Sequence, residues 1–376
     1  MIPQGWEEKS VCDICNVYQP QTISSKDLIP DGKYTVFGAN GIIGRYNSYN
    51  HEKSEVLVTC RGATCGSINK SLPFSWINGN AMVVSPKDEN IISKEYLYHF
   101  LAATDFTYFI TGAAQPQITR VGLSPLKISY PPLPEQERIV AKLDKAFEAI
   151  DKVKANAEQN LNNAKELFES YLTSILVNKK DWKKKKLSEV AVDFGRGRSR
   201  HRPRNDKKLY GGKYPFIQTG DIRNCNHFIT KYSQTYNEVG LAQSKLWPKG
   251  TLCITIAANI AETGVLTFDS CFPDSVIGCV FDNSKTNIDY VEYLLQSFKS
   301  VLQAEGKGSA QDNINLGTFE GQYFPFPDKS TQDKIVIKLD SMRKNIAKLE
   351  AIYTKKIKAL DELKQSILQK AFRGEL

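Results

Sequence analysis

The stretch PPLPEQERIVAKLDKAFEAI, residues 131–150, decides the fold because a related stretch occurs later in the chain. That second stretch, FPDKSTQDKIVIKLDSMRKNI, occupies residues 326–346, and an offset of 196 residues carries Gln136 onto Gln332. The same offset continues downstream without a gap. A long internal repeat indicates one structural unit present in two copies. We therefore predict two modules, each a globular part followed by a long helix.

The segment after each repeated stretch has apolar residues every seven positions. These series are Leu143, Ile150, Ala157, Ala164 and Tyr171 in the first copy, and Leu339, Ile346, Tyr353, Leu360 and Ile367 in the second. Interleaved with them are Ile139, Ala146, Val153 and Leu167, and then Ile335, Met342, Leu349 and Leu363. Such a heptad pattern, with no internal Pro or Gly, predicts a coiled-coil seam.

Each predicted helix has about 42 residues and would be roughly 60 Å long, which is too long to lie only on its own globular part. We therefore expect the two helices to pair with each other. Antiparallel pairing of two equivalent units gives a pseudo-two-fold tandem repeat, with the globular parts at opposite ends of a rod. The alternative is two separate amphipathic helices, each lying on its own domain.

The globular parts read as strand-rich α+β. Short apolar runs separated by Gly, Asn and Ser turns predict strands at 36–43, 56–60, 81–84 and 126–129, and in the second copy at 251–257 and 275–281. Helices are predicted at 95–103 and 290–302. Trp6 and Trp182 mark the start of the two modules. The predicted domains are a globular domain at 1–134, helix 1 at 135–179, a second globular domain at 180–331 and helix 2 at 332–376.

The composition is that of a globular protein with a modest excess of cations: Lys and Arg number 50, Asp and Glu 41, and the formal net charge is +9. Between Lys179 and Lys213 there are 14 cations against four carboxylates. A solvated linker and a phosphate-contacting surface both explain such a run, and charge alone does not decide between them. With no long apolar run, no secretion signal and eight Cys that we expect to be reduced, the sequence predicts a cytoplasmic protein.

Patterns typical of catalysis are absent from the sequence. Cys12 and Cys15 form a CxxC pair that Cys60 and Cys65 could complete, but the second spacing is unusual for zinc and no paired His lies nearby. We therefore expect ordinary reduced cysteines and no metal. No Walker A or GxGxxG sequence occurs. The residues indicate a chain that recognises rather than reacts.

Polar and basic residues on predicted loops suit the edges of DNA bases, because Arg pairs with guanine and Asn or Gln with adenine. In the first module the candidates are Asn40, Arg45, Asn47, Arg61, Gln115, Gln117 and Arg120. In the second they are Arg196, Arg198, Arg200, Arg202, Arg204, Gln218, Arg223, Asn224, Asn259, Lys307, Gln311 and Asn313. For any single one, an exposed loop residue or an Asx turn is the better explanation.

The five arginines from Arg196 to Arg204 alternate along the chain. An extended segment would place all five on one face, where their mutual repulsion favours an anion such as DNA phosphate. We expect mostly phosphate contacts and at most two base contacts.

Taken together, these motifs resemble the specificity subunit of type I restriction–modification systems. The similar stretches are VFGANGIIG, RGATCGSIN, GAAQPQIT and PPLPEQERIV in the first module, with GSAQDNI and QDKIVIKLD matching more loosely in the second. FPFPDKSTQ departs from the usual PPLPEQ pattern. The resemblance extends over essentially the whole chain.

This resemblance implies that each globular part is a target recognition domain for one half of a bipartite, asymmetric DNA site. It also implies that the helices set the spacing and dock two methyltransferase subunits, which bind S-adenosylmethionine and methylate adenine. A separate ATP-dependent motor and endonuclease subunit would cleave DNA, so no cofactor is expected in this chain. Two alternatives remain: a structural adaptor without nucleic acid, and an enzyme with an unrecognised site.

Overall fold

The computed structural model describes residues 3–112, 114–176, 181–257, 261–306 and 316–376. The chain divides into two compact units. Unit 1 contains residues Met1–Gln159 and Tyr353–Leu376, and unit 2 contains Asn160–Ile352. Each unit therefore combines a globular part with a portion of both long helices.

Unit 1 is a mixed α+β structure. Its strands are β1 (Glu7–Ser10), β2 (Cys15–Tyr18), β3 (Tyr34–Gly38), β4 (Gly41–Tyr46), β5 (Val56–Thr59), β6 (Ile68–Lys70), β7 (Ser75–Ile77), β8 (Ala81–Pro86) and β9 (Lys127–Tyr130). Its helices are α1 (Val11–Ile14), α2 (Lys94–Ala103), α3 (Arg120–Leu123) and the first part of α4 (Leu133–Leu176). A short 3-10 turn, Phe106–Phe109, precedes α3.

Two sheets of unit 1 share one layered core. Their strand orders are β2-β8-β5-β6 and β4-β3-β7. Val58 and Met82 pack with the helices on one face of the first sheet. Leu57 and Val83, on its other face, pack against Phe37 of the second sheet. Because β5 and β8 are buried on both faces, their sequences are nearly continuous apolar runs instead of alternating ones.

The predicted strand at 36–43 is in fact a hairpin. Antiparallel β3 and β4 meet at a turn through Asn40, and Gly41 has a φ of +108°, which favours glycine. The Asn-Gly dipeptide is the usual sequence signal for such a hairpin. The prediction of a single strand was therefore wrong.

Unit 2 has the same kinds of elements. Its strands are β10 (Lys183–Lys185), β11 (Ala191–Arg196), β12 (Tyr210–Phe216), β13 (Phe228–Ile229), β14 (Gln234–Tyr236), β15 (Leu252–Thr255), β16 (Thr263–Leu266), β17 (Val276–Phe281) and β18 (Phe324–Phe326). Its helices are α5 (Leu187–Val190), α6 (Thr219–Arg223), α7 (Glu238–Ala242), α8 (Ile288–Gly306), α9 (Leu316–Gly321) and the first part of α10 (Lys329–Ala371).

The main sheet of unit 2 has the order β11-β17-β15-β16-β13, and β12 pairs with β14 beside it. Ile254 and Ile277 face Tyr290 and Leu294 of α8. On the opposite face of the sheet, Cys253 packs in a cluster with other buried side chains that include Trp247 and Phe272. As in unit 1, burial on both faces explains the apolar runs.

In both units the first strand pairs with the last. Antiparallel β1 and β9 join Glu7 to Tyr130 in register, and β10 and β18 join Lys183 to Phe326. The first and last strands of each globular part are therefore neighbours. The long helix begins shortly after the last strand.

A buried glutamine fixes the start of each long helix. Gln136 accepts a hydrogen bond from the Ser93 N–H at 2.9 Å and donates to the carbonyls of Ile91 and Pro131, both at 2.8 Å. In unit 2, Gln332 accepts from the Asn287 N–H at 2.9 Å and donates to Pro327. Because both side chains are buried and fully engaged, these repeated glutamines are structural.

The long helices α4 and α10 have 44 and 43 residues and pair antiparallel. In unit 1, Lys154 bonds to Asp361 at 2.6 Å and Lys364 to Asp151 at 3.0 Å, so rising numbers on one helix match falling numbers on the other. Leu143 and Ile150 of α4 lie in one apolar cluster with Leu368 and Ala371 of α10.

In unit 2 the same helices contact through a cation and an aromatic ring. The Arg343 guanidinium lies 5.8 Å from the Phe168 ring centroid and 4.3 Å from that of Tyr293. The Lys364 ammonium lies 4.7 Å from the Phe147 ring in unit 1. The repeat offset carries Phe147 onto Arg343 and Phe168 onto Lys364, so the two contacts are equivalent with cation and ring exchanged.

The buried stripe of each helix follows a 4-3 spacing, and the first predicted series lies in it throughout. All the first series are buried or half-buried: Leu143, Ile150, Ala157, Ala164, Tyr171, Leu339, Ile346, Tyr353, Leu360 and Ile367. Their partners in the stripe lie four residues on, at Phe147, Lys154, Leu161, Phe168, Ile175, Arg343, Glu350, Ile357, Lys364 and Ala371.

Part of the interleaved series lies outside the seam. Val153, Leu167, Leu349 and Leu363 are between 39% and 56% exposed. We call these four residues the outer apolar strip. Their prediction as seam residues was wrong. Apolar side chains occur both three and four residues after members of the first series, and the positions four residues on, which lie in the seam, include charged residues.

No helix in the described part of the chain is long and apolar enough to cross a membrane.

Candidate nucleic-acid interface

In unit 1, two loops bring three of the predicted base-contacting residues together. Residues 60–62 and 116–118 run antiparallel, with Arg61 opposite Gln117 and backbone bonds of 3.0 Å from Gly62 to Pro116 and from Ile118 to Cys60. Gln115 is next in the same loop, and all three candidate side chains are exposed. Within the described residues the Arg61 guanidinium has no hydrogen bond or ion pair. It is therefore available to an external acceptor.

Asn40 lies in the hairpin turn near this loop pair. Its side chain accepts a hydrogen bond from Asn69 at 2.8 Å, and the neighbouring Ala39 carbonyl accepts one from the Thr59 hydroxyl, two residues before Arg61. Asn69 was not among the predicted residues, since only the folded loops place it beside Asn40.

Arg45 and Asn47 belong to the other end of the hairpin. Arg45 is on strand β4, not on a loop, and its Nη2 donates to the Lys33 carbonyl at 2.9 Å. Asn47 accepts from the Lys33 N–H at 3.3 Å. Both side chains are exposed, but their contacts give them a structural role in holding the hairpin against the preceding loop.

Arg120 is the first residue of α3, where the prediction placed a loop. Its side chain is exposed, and its guanidinium has no partner within the described residues. Two apolar side chains nearby, Tyr108 and Val121, are also exposed. Neither was among the predicted base-contacting residues, which were all polar or basic.

In unit 2, the arginines of the Arg-rich segment do alternate with less exposed residues. Arg196 ends β11, and Arg198, Arg200, Arg202 and Arg204 follow in irregular chain. All five are exposed, while the intervening Gly197 and Ser199 are buried. The segment is thus extended enough to present arginines on its exposed side.

The five guanidinium groups are not equally available. The Arg204 Nη2 atom contacts both carboxylate oxygens of Asp274 at 2.8 and 2.9 Å, and the Arg196 Nε atom donates to the Asp274 carbonyl at 2.6 Å. Arg202 donates to the Ser199 carbonyl at 2.6 Å. The side chains of Arg198 and Arg200 have no hydrogen bond or ion pair within the described residues. The sequence predicted that DNA phosphate would neutralise these arginines. For Arg204, the carboxylate of Asp274 does so within the protein.

The remaining described candidates of unit 2 are divided between a cavity and a helix end. Gln218 caps α6, bonds to Gln234 at 2.7 Å, and lines a cavity of about 670 Å³ with Tyr210 and Phe216. Arg223 and Asn224 are exposed at the C-terminal end of α6. Arg204 of the Arg-rich segment lines the same cavity as Gln218. Asn259, Lys307, Gln311 and Asn313 lie outside the described residues.

The cysteines that were considered as metal ligands, Cys12, Cys15, Cys60 and Cys65, are free thiols in the structure. Cys15 is buried, and burial raises the pKa of its thiol to about 12. The Cys60 thiol donates to the Asn80 carbonyl at 3.1 Å. Among the described residues, no three His, Cys, Asp or Glu side chains are grouped as metal ligands would be.

A histidine held by two carboxylates lies under the α6 end of unit 2. His227 Nδ1 contacts Glu292, and Nε2 lies 3.2 Å from Asp289. Burial alone would lower the pKa of His227, but the bonds to Asp289 and Glu292 outweigh it and raise this pKa to about 9. The imidazolium therefore joins the loop before β13 to helix α8.

This group predicts a loss of stability at alkaline pH. Because the folded pKa exceeds the usual 6.5, the imidazolium stabilises unit 2 fully below pH 6.5 and loses that effect as pH rises through about 9. We expect a fall of about 2–3 kcal/mol in the free energy of unfolding between pH 6 and pH 9.5. His227→Gln should remove this fall, as measured by urea unfolding at both pH values.

His99 of unit 1 provides the control. Burial lowers the pKa of His99 despite its bond to Asp144, so it should lose no stabilising charge at alkaline pH. His99→Gln should therefore keep the alkaline fall. If it instead disappears in this variant and persists in His227→Gln, the assignment is wrong.

Comparison with known proteins places these units in context. The family model described as "Type I restriction modification DNA specificity domain" matches residues 3–163 and again residues 179–359. Two adjacent matches to one model agree with the internal repeat.

Similar proteins match over most of the chain. A Haemophilus influenzae protein assigned as a type I restriction enzyme specificity subunit is 25% identical, over 82% of this chain and 80% of its own length. The type I restriction enzyme StySPI specificity subunit of Salmonella potsdam is 21% identical, over 100% of this chain and 90% of its own.

Two solved structures share the fold. A chain from a structural study of complex assembly and conformational transition in the type I R-M system has a TM-score of 0.75 at 18% identity, with 100% of both chains covered. The HsdS subunit from Thermoanaerobacter tengcongensis has a TM-score of 0.57 at 20% identity, covering 100% of this chain and 98% of its own.

Proposed function

Because this chain belongs to the type I restriction modification DNA specificity domain family, we propose that it is the DNA-recognition subunit of a type I restriction–modification enzyme. Each globular part reads one half of a bipartite, asymmetric site, and the paired helices set the number of unspecified base pairs between the halves. The subunit recognises DNA and leaves the chemistry to its partners. The observation that carries this proposal is the duplicated specificity domain.

The free cations support contact with duplex DNA. Arg61 and Arg120 in unit 1, and Arg198 and Arg200 in unit 2, are exposed and unpaired within the described residues. A cation with no protein partner gains by neutralising phosphate and releasing the counterions condensed on it. Arg61 stands opposite Gln117, a pairing that suits guanine and adenine edges in the major groove.

The outer apolar strip supports docking of the methyltransferase subunits. In unit 1, Val153 and Leu363 each precede a seam residue, and the bonds between Lys154 and Asp361 and between Lys364 and Asp151 place them across the seam from each other. Leu167 and Leu349 hold the equivalent positions in unit 2. Exposed apolar pairs on a helix pair favour a protein contact, and their repetition fits two copies of one partner.

The partners follow from this assignment. We propose two methyltransferase subunits that bind S-adenosylmethionine and methylate adenine, and motor and endonuclease subunits that use ATP. The assembled enzyme would act on DNA in the cytoplasm. A structural adaptor without nucleic acid leaves the duplicated DNA specificity domain unexplained.

A salt series tests the proposed DNA contact. We expect affinity for a target duplex to fall steeply with salt, since each neutralised phosphate contributes about 0.9 to the slope of log affinity against log salt. The double variant Arg198→Ala, Arg200→Ala should lower this slope by about two units and weaken binding to all sequences similarly. Binding is measured by fluorescence anisotropy from 50 to 200 mM salt.

Arg202→Ala with Arg204→Ala is the matched control, since those guanidiniums already bond to Ser199 and Asp274. We expect a smaller change in slope. Absence of binding to the target duplex at every salt concentration would contradict the proposal and favour the adaptor. A slope unchanged in the Arg198, Arg200 variant would make that segment a solvated loop.

A further inference from the structure

Two apolar side chains of unit 1 are almost fully exposed beside the paired loops. Tyr108 is 88% exposed in the 3-10 turn, and Val121 is 80% exposed in α3. Single exposed apolar residues are ordinary, but adjacent ones in a functional surface indicate a contact.

The backbone segments that carry these two side chains lie against each other. A methyl group built on Gly122 would lie 3.8 Å from the Phe109 carbonyl oxygen, so α3 abuts the 3-10 turn at the residues next to Val121 and Tyr108. The Thr119 hydroxyl accepts the Gly122 N–H at 2.9 Å and fixes the start of this helix. The helix that carries Val121 is therefore anchored beside the turn that carries Tyr108.

A cation and an amide lie on the segments next to the apolar pair. Arg120 precedes Val121, and Gln117 bonds to Thr111, two residues after the turn, at 2.8 and 2.9 Å. Gln117 is in turn opposite Arg61. An apolar centre with a cationic rim is complementary to a polyanion that also exposes an apolar group. In the major groove of DNA, that group is the C5-methyl of thymine.

We propose that Val121, flanked by Tyr108, contacts the C5-methyl of a thymine in the half-site read by unit 1. This inference rests on the proposed function and names thymine as one base that unit 1 contacts. Val121 is short and β-branched, so it has few rotamers and does not reach between stacked base pairs as a longer wedge residue would. Its methyl groups fit a contact with the edge of a base.

The test removes only the methyl group from the DNA. The target is first mapped from the methylome of cells carrying the full chain with its methyltransferase subunits. Each thymine of both half-sites is then replaced singly by deoxyuridine, and binding of the full chain is measured. At one thymine we expect affinity to fall about fourfold, the effect of one buried methyl-sized group.

Variants of Val121 connect this effect to the side chain. Val121→Ala should bind the thymine and uracil duplexes equally at that position, and Val121→Ile should keep the fourfold difference. Val192→Ala in unit 2 is the matched control, because Val192 is 72% exposed on strand β11 and its loss should leave the difference unchanged.

Three results would overturn the inference and leave the proposed function standing: a unit 1 half-site without thymine, no uracil effect at any position while the salt slope stays steep, or a uracil effect that persists in Val121→Ala. Absence of DNA binding at any salt concentration would overturn the proposed function and this inference with it.

Discussion

Glutamate at Leu143 and Ile150, together with glutamate at Leu339 and Ile346, is expected to unfold the helix contacts of both units and to end methyltransferase binding. Leu143 and Leu339 are fully buried, and Ile150 and Ile346 nearly so. Loss of one such side chain to alanine costs about 2–5 kcal/mol, and a buried unpaired carboxylate costs more. Thermal unfolding and a sizing column with the methyltransferase measure the two effects.

Glutamate on the outer apolar strip is the matched control for the seam. Val153→Glu and Leu349→Glu place the same charge on the same helices, at positions where it remains in water. The melting temperature should stay unchanged while methyltransferase binding weakens. Normal assembly of the fourfold seam variant would show that these residues are not the core of the helix pair.

A second large effect is expected from lengthening the helices. One heptad inserted into both α4 and α10 adds about 10 Å, which corresponds to about 3 bp of duplex DNA. The unspecified gap of the target should widen by that amount while the bases of both half-sites stay the same. The methylome of cells carrying the variant and its methyltransferase reads out gap and bases together.

A heptad inserted into α4 alone is the control for this experiment. It shifts the register of Lys154 and Asp151 against Asp361 and Lys364, so we expect the helix pair to assemble poorly. Changed half-site bases with an unchanged gap in the matched insertion would contradict the spacer role of the helices.

The repeat and the heptad series were predictable because they depend on spacing alone. The strand-rich α+β units and the antiparallel long helices agree with that prediction. The phase of the second seam series was not predictable in the same way. Lys154, Arg343 and Lys364 are charged residues at seam positions, so a pattern of apolar residues does not reveal them. Cross-helix ion pairs and ring contacts make them acceptable there.

The candidate surface shows a different limit. Which arginines were exposed followed from their alternation, but the bond between Arg204 and Asp274 joins residues 70 positions apart and has no local signal. The same holds for Arg61 and Gln117, which only the folded loops bring together. Base contacts of the individual candidates therefore remain a prediction.

The pairing of the first and last strands of each globular part has a consequence for how the sequence between them can vary. β1 pairs with β9, and β10 pairs with β18, so the two ends of each globular part lie side by side. The buried Gln136 or Gln332 then fixes the start of the long helix that follows. The sequence between those strands can be exchanged for another of the same plan without disturbing the helix that follows. Under the proposed function, such an exchange would change the half-site that the globular part reads, while the long helices would keep their own contacts.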